Sequence, residues 1–327
     1  MTLLFLFSDF PSETTPQVPW FNPYQCSCYP IAYCGRLAGK FDPRVVTPFN
    51  CYPGYVLCCP YYPPEKTSAP EICGNRSSIQ PRANKLMGRA VYGEYPWTGA
   101  ILDTDNSYLG GCVLINRRTA LTAAHKIADY TDKPLKGRFG FVNGKLIDDN
   151  TKEYNIETIT IHPDFDRITF KNDIAILKFS EDITYSPVIG PACLPYDENL
   201  IVEAQRGCWV SGWGRDKFAD GMYQSVQKTV HVPIIDKNSC ESELKSTRLG
   251  PDFTLDSDSF ICAGGYLNQD ACTGDGGSPL VCELVTGQWT VVGLVSWGIG
   301  CGYPNIPGVY VNVAHFLPWI QSPNNNR

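Results

Sequence analysis

The sequence predicts an all-β fold with a small disulfide-rich module near its N-terminal end. From Tyr92 onward, short apolar runs recur, among them Val113-Leu114-Ile115, Ile174-Ala175-Ile176-Leu177 and Val291-Val292-Gly293-Leu294-Val295, with Gly, Asn and Pro between them. That pattern reads as many short strands joined by turns. Ahead of it, six of the chain's 15 cysteines crowd into a Pro- and Tyr-rich stretch. A length of 327 residues exceeds the usual single domain, and a 43% apolar fraction can build a core. Only residues 313–320 read as a short helix, and no internal repeat is visible.

Composition excludes several function classes. A net charge of −6 and an acidic isoelectric point near 5.3 argue against nucleic acid as a partner. No basic run suggests an acidic membrane surface, and no apolar stretch approaches the ~18–20 residues of a bilayer span. The cysteine load points to an oxidising compartment and a secreted, extracellular protein. No Cys-x-x-Cys pairs repeat at zinc-finger spacing, and the four histidines do not cluster with cysteine. Residues 1–24 form an N-terminal segment whose Met-Thr-Leu-Leu-Phe-Leu-Phe start is about half a signal-peptide core. Asn75-Arg76-Ser77 is a glycosylation sequon.

Residues 25–60 hold Cys26, Cys28, Cys34, Cys51, Cys58 and Cys59. So short a segment buries too little apolar surface to fold unaided, and crosslinks substitute for the core. Six cysteines allow fifteen pairings, so spacing alone leaves the connectivity open. The order Cys-x-Cys, Cys34, Cys51 and an adjacent Cys58-Cys59 resembles the clip domain of arthropod immune proteases. That resemblance implies Cys26–Cys58, Cys28–Cys51 and Cys34–Cys59. Residues 61–83 read as a linker, and residues 84–327 as the large domain.

Within the large domain, Leu121-Thr122-Ala123-Ala124-His125 matches the histidine motif of the trypsin-like serine proteases, and Asn172-Asp173-Ile174-Ala175-Ile176-Leu177 matches their aspartate motif. Cys208-Trp209-Val210-Ser211-Gly212-Trp213-Gly214 and Val295-Ser296-Trp297-Gly298 are further signatures of that family. The resemblance spans residues ~84–320 and implies a trypsin-like double β-barrel with the cleft between the barrels. Acyl transfer by serine needs a nucleophile, a histidine base and a buried carboxylate that orients it. The family's nucleophile loop reads Gly-Asp-Ser-Gly-Gly-Pro; this chain has Gly274-Asp275-Gly276-Gly277-Ser278-Pro279. The nucleophile position is therefore Gly276, which has no hydroxyl, and His125 and Asp173 are remnants of a triad. Ser278 lies two residues on, at ~3.3 Å per extended residue, whereas a base must lie within ~3 Å of the proton it takes. The backbone N–H groups of Gly274 and Gly276 are what remains of an oxyanion hole.

The same resemblance assigns further residues. Asp270 stands at the acid position on the floor of the specificity pocket, with Gly298 and Gly308 in its open walls. An inherited, idle pocket is the simpler reading; the alternative is binding of a basic residue without cutting. Active members expose an Ile-Val-Gly-Gly terminus whose amine pairs with the residue here numbered Asp275. The matching stretch is Asn84-Lys85-Leu86-Met87-Gly88-Arg89-Ala90, so Asp275 is expected to lack that partner. Implied bridges are Cys73–Cys193, Cys208–Cys282, Cys240–Cys262 and Cys272–Cys301. Gly110 and Lys126 replace the bridge beside the histidine, which leaves Cys112 over, as a free buried thiol or else in an intermolecular bridge. No cofactor is expected. A loop around Asp148, Asp149, Asn150 and Glu153 resembles a calcium loop in position, with Phe141 where trypsin has a carboxylate, so calcium stays open.

The whole chain resembles the non-catalytic clip-domain serine protease homologues of arthropod haemolymph. The resemblance implies a cofactor role with prophenoloxidase and an activating clip-domain protease as partners, and assembly into a homo-oligomer after cleavage. Cleavage sites read from the sequence are Lys40 and Arg44 in the clip loop, with Arg82 and Arg89 nearer the large domain. A decoy that damps the cascade and a trypsin-like Arg/Lys endopeptidase are the alternatives.

Overall fold

The computed structural model describes residues 27–30, 55–58, 72–76, 87–196, 207–218, 220–284 and 287–322, with backbone alone for 27–30, 55–58 and Met87. The chain divides into two compact units, Met1–Pro70 and Glu71–Arg327. In the first, strand β1 (Ser27–Pro30) pairs antiparallel with β2 (Tyr55–Cys58), with Ser27 opposite Cys58. The bridges implied among Cys26, Cys28, Cys34, Cys51, Cys58 and Cys59, and the cleavage sites at Lys40, Arg44 and Arg82, lie outside the described residues or their side chains.

The second unit holds two β-structures. One is a closed barrel of β4 (Thr98–Leu102), β5 (Tyr108–Asn116), β6 (Thr119–Thr122), β7 (Lys136–Phe139), β8 (Lys152–Ile161) and β9 (Ala175–Phe179), in the order β4-β5-β6-β9-β8-β7. Small and large residues alternate inside it: a Cβ added to Gly137 would sit 2.7 Å from the Phe179 ring. A barrel of this size fills its interior with side chains rather than a channel. The other is an eight-stranded sheet containing β3 (Met87–Arg89), β10 (Cys208–Gly212), β11 (Lys228–His231), β12 (Ile234–Ile235), β13 (Phe260–Gly264), β14 (Pro279–Glu283), β15 (Trp289–Trp297) and β16 (Pro307–Asn312). The apolar run of β15 is buried at every residue but Trp297, as a strand covered on both faces requires. One continuous core runs from barrel residues such as Leu121 and Phe179 to Val291, Leu294 and Val311 of the sheet. Trp97 and Trp289 stack across it with ring centres 6.0 Å apart.

Helix is scarce, yet the chain makes more of it than its sequence suggests. After the short turn α1 (Ala124–Ile127), a nine-residue helix α2 (Lys237–Lys245) forms where no helix was expected. Its signals are local. Asp236 caps it by accepting from the N–H groups of Asn238 and Ser239, and Glu241 pairs with Lys245 one turn on at 2.7 Å. Only Cys240 and Leu244, four residues apart, are buried, so the apolar stripe is too thin to stand out. The expected C-terminal helix is confined to α3 (Leu317–Ile320). No helix among the described residues is long and apolar enough to cross a membrane.

Four disulfides tie the large unit. Cys208–Cys282 joins facing residues of β10 and β14, Cys240–Cys262 fastens α2 to β13, and Cys272–Cys301 joins two loops. Cys73–Cys193 fixes residues 72–76, part of the stretch read as linker, to the large unit. The Gly74 N–H donates to Pro191 O at 2.8 Å, and Arg76 pairs with the buried Glu94. Asn75 between them is exposed. Cys112 on β5 is fully buried and unbridged, and burial pushes its thiol pKa far above the usual range. Replacing Cys73 and Cys193 together by Ala is expected to lower unfolding free energy by roughly 2–5 kcal/mol, because the bridge closes a long loop. Urea titration checks this, and an unchanged midpoint would show that the bridge adds no stability.

Candidate functional site

A buried carboxylate organises the cleft. Asp173, just before β9, has no exposed surface and receives three hydrogen bonds. His125 donates its backbone N–H to Oδ1 at 2.8 Å, and its ring Nδ1 lies 2.7 Å from Oδ2. The Ser296 hydroxyl donates to Oδ2 at 2.6 Å. Ser296 is aimed there by a bulge: β15 slips register against β16 between Val295 and Trp297. Phe170 stacks on the His125 ring at 5.0 Å, held in the left-handed region at φ 58°. Neither contact was read from the sequence. Val295-Ser296-Trp297-Gly298 was singled out as a signature without a role for its serine, and Phe170 carries no local signal.

Gly276 faces the other edge of the imidazole. A Cβ placed on it would stand 2.8 Å from His125 Nε2 and 2.7 Å from Lys126 Cδ. Real Cβ atoms do not come that close, so a serine side chain there would require Lys126 or His125 to shift. The Lys126 stem runs past Gly110, where an added Cβ would meet Lys126 Cε at 2.9 Å and Gly276 O at 2.8 Å. The exchanges at Gly110, Lys126 and Gly276 are therefore in mutual contact. Burial lowers the Lys126 pKa from the usual lysine value, opposed by the charges of Asp275 and Asp173. Ser278 is fully buried against Gly111 and Gly212, and no hydrogen bond joins it to His125.

Asp275 is buried beside this loop. It accepts from Gly214 N at 2.8 Å and from Cys272 N at 3.0 Å. Burial pushes its pKa up to about 6, against those amides and the Lys126 charge. Arg89 is exposed on β3 opposite Lys228, but the following Ala90 is buried and its N–H donates to Gln227 O at 2.8 Å. A protease needs an extended, accessible segment, so the sheet shields the Arg89-Ala90 bond. The N–H groups of Gly274 and Gly276 donate to no acceptor among the described residues.

The cleft opens into a cavity of about 240 Å³ that runs from His125 and Gly276 at its rim to Asp270 and Gly308 inside, with Gly298 in its wall. Gly308 leaves Asp270 room: an added Cβ would lie 3.1 Å from its Oδ1. Asp270 Oδ2 accepts from Gly302 N at 3.0 Å, and burial pushes the carboxyl pKa up to about 7. The calcium-like loop does not fit a calcium ion. Glu153 is engaged by Lys136 and Arg138, Asp148 by Tyr92 and its own turn, and Phe141 stacks on Trp213 at 4.4 Å. Among the described residues, no group of three or more His, Cys, Asp or Glu could hold a metal.

Two outcomes follow. Gly276→Ser alone is expected to give no labelling by a fluorophosphonate probe, with roughly 1–3 kcal/mol of stability lost to overpacking. Labelling with turnover would show that His125 and Lys126 make room. A guanidinium mimic such as benzamidine is expected to pair with ionised Asp270. Below pH 7 it must displace a proton, so its affinity is expected to fall about tenfold per pH unit there and to level off above pH 8. Calorimetry across pH 5–9 checks this, and a flat profile would place the probe elsewhere.

Comparison with known proteins agrees with this geometry. The family profile described as Trypsin matches residues 88–320. The chain is 42% identical to Phenoloxidase-activating factor 2 of Galleria mellonella over 79% of this chain and 90% of that protein. It is 42% identical to Inactive CLIP domain-containing serine protease A3 of Aedes aegypti over 86% of this chain, and spans 58% of that relative's length. Inactive CLIP domain-containing serine protease A8 of Anopheles gambiae is 38% identical over 71% of this chain and 65% of its own length. With a barrel and sheet meeting at a His125–Asp173 pair, and with these relatives, the chain belongs to the trypsin family as a clip-domain serine protease homologue.

Proposed function

We propose that this chain is a non-catalytic, secreted cofactor of an arthropod immune proteolytic cascade, acting in prophenoloxidase activation and hence melanisation. One observation carries the reading: the His125–Asp173 pair is assembled, yet Gly276 offers it no hydroxyl. In a comparable triad system, removing the serine costs ~10⁶ in turnover and leaves only ~10³–10⁴ over water. That is too little for a protease, and Lys126 against Gly276 is a second obstacle. The similarity to two inactive CLIP domain-containing serine proteases and to a phenoloxidase-activating factor supports the same reading.

In this reading the large unit is a binding body and the clip module a regulated docking surface. An activating clip-domain protease cuts at Lys40 or Arg44, between Cys34 and Cys51, or else at Arg82. The cut chain assembles with copies of itself and acts on prophenoloxidase. The cysteine content supports a secreted protein of the haemolymph.

The test is phenoloxidase output from a mixture of prophenoloxidase and its activating protease, with and without the full chain. A rise is expected, accompanied by a new N-terminus between Cys34 and Cys51 and a larger species on gel filtration. A fall would identify a decoy that damps the cascade, and no change would remove prophenoloxidase as the target.

A further inference from the structure

One motif of the sequence has no place in the cleft chemistry, and the fold gives it a definite setting. Asn75 of the sequon Asn75-Arg76-Ser77 is exposed on a segment anchored on both sides. Cys73 before it is bridged to Cys193, and Gly74 donates its N–H to Pro191 O at 2.8 Å. Arg76 after it pairs with the buried Glu94 and lies over the Trp289 ring at 4.7 Å. Asn75 stands on the wall of a surface groove of about 320 Å³. Ile72, Pro96, Tyr185, Pro187 and Pro191 line it too, and it shares no lining residue with the cleft cavity. Ile72 is 69% exposed, so this largely apolar patch is open to water.

The chemistry of the groove selects its occupant. Prolines carry no N–H, and the N–H groups of Ser186, Ile189 and Gly190 are already donated, to Ile189 O, Ser186 O and Pro96 O. The Arg76 guanidinium is engaged by the Glu94 carbonyl and carboxylate. An anion or a pairing strand would therefore find few donors here. A sugar brings its own hydroxyl donors and presents a face of C–H groups to the proline and tyrosine rings. An added Cβ at Gly190 would meet no atom within 4 Å, so the groove has room beside it.

We propose that Asn75 carries an N-linked oligosaccharide whose first sugar packs into this groove. In the covalent step the Asn75 amide nitrogen attacks C1 of an oligosaccharide carried on a lipid diphosphate. The N–C1 bond forms, the C1–O bond breaks with its electron pair going to the diphosphate, and the amide proton is released. That donor belongs to the secretory compartment, so the proposal rests on the secreted reading of the chain. With the sugar seated, the apolar patch is closed to protein partners, which are left the remaining surface.

The test expresses the full chain in insect cells, recovers it from the medium and maps its peptides by mass spectrometry. An oligosaccharide on Asn75 is expected. Secreted chain with a bare Asn75 overturns the proposal alone, whereas chain kept inside the cell with reduced cysteines overturns the secreted reading and the proposal with it. An endoglycosidase that leaves only the first sugar then separates seating from mere attachment. By urea titration, the one-sugar form is expected to exceed the sugar-free Asn75→Gln and Ser77→Ala forms by about fivefold or more in the folding equilibrium constant. Gly190→Leu, which fills the groove, is expected to abolish that difference. Equal stability of the one-sugar and sugar-free forms overturns the seating, and so does a difference that persists in Gly190→Leu. Should Gly190→Leu fail to fold, the comparison on the unaltered groove decides.

Discussion

The large unit is organised around one buried charge. A carboxylate without exposed surface is stable only if its lone pairs are met by donors, and at Asp173 those donors come from both sides of the cleft. His125 follows β6 of the barrel, while Ser296 sits in β15 of the sheet. The seam is reinforced by Gly111 N donating to Gly276 O at 3.0 Å and by Asn172 N donating to Ser259 Oγ at 3.2 Å. The orientation of the imidazole and the aim of the Ser296 hydroxyl out of the β15 bulge both serve that carboxylate. The demand does not depend on catalysis, because the carboxylate must be solvated by the protein whether or not a reaction takes place.

Around that anchor, three exchanges behave as one packing unit. Glycines at 110 and 276 would by themselves leave a void beside the imidazole, and voids in a close-packed interior are costly. One lysine stem fills it, and the two glycines give the stem its path. Asp270 and Gly276 line one cavity, and the Lys126 stem lies against Gly276 beside it.

Much of this architecture was legible from the residues. The runs in β9 and β15 announce buried strands because burial on both faces permits no polar alternation, and the motifs around His125 and Asp173 name the pair that meets. The helix at Lys237–Lys245 was missed because its cap and ion pair are local polar signals while only two of its residues face the core. The contact of Lys126 with Gly276 was missed for a different reason. The two are neighbours only through the fold, and nothing in either segment says that a stem from one will fill the space left by the other. The role of Ser296 depends likewise on a register slip that no periodicity records.

The disulfide between Cys73 and Cys193 bears on what proteolysis can accomplish. A cut at Arg82 would fall between Cys73 and the first strand of the large unit, yet the N-terminal fragment would stay covalently attached through Cys193. Such a fragment does not diffuse away; it remains at the high local concentration that a short tether imposes. Cleavage there would change the freedom of the N-terminal unit without changing its stoichiometry, so the cut protein can rebind its own released segment or present it to a partner as a two-armed ligand. Separation into independent molecules would require a reductant, which the oxidising compartment inferred from the cysteines does not provide.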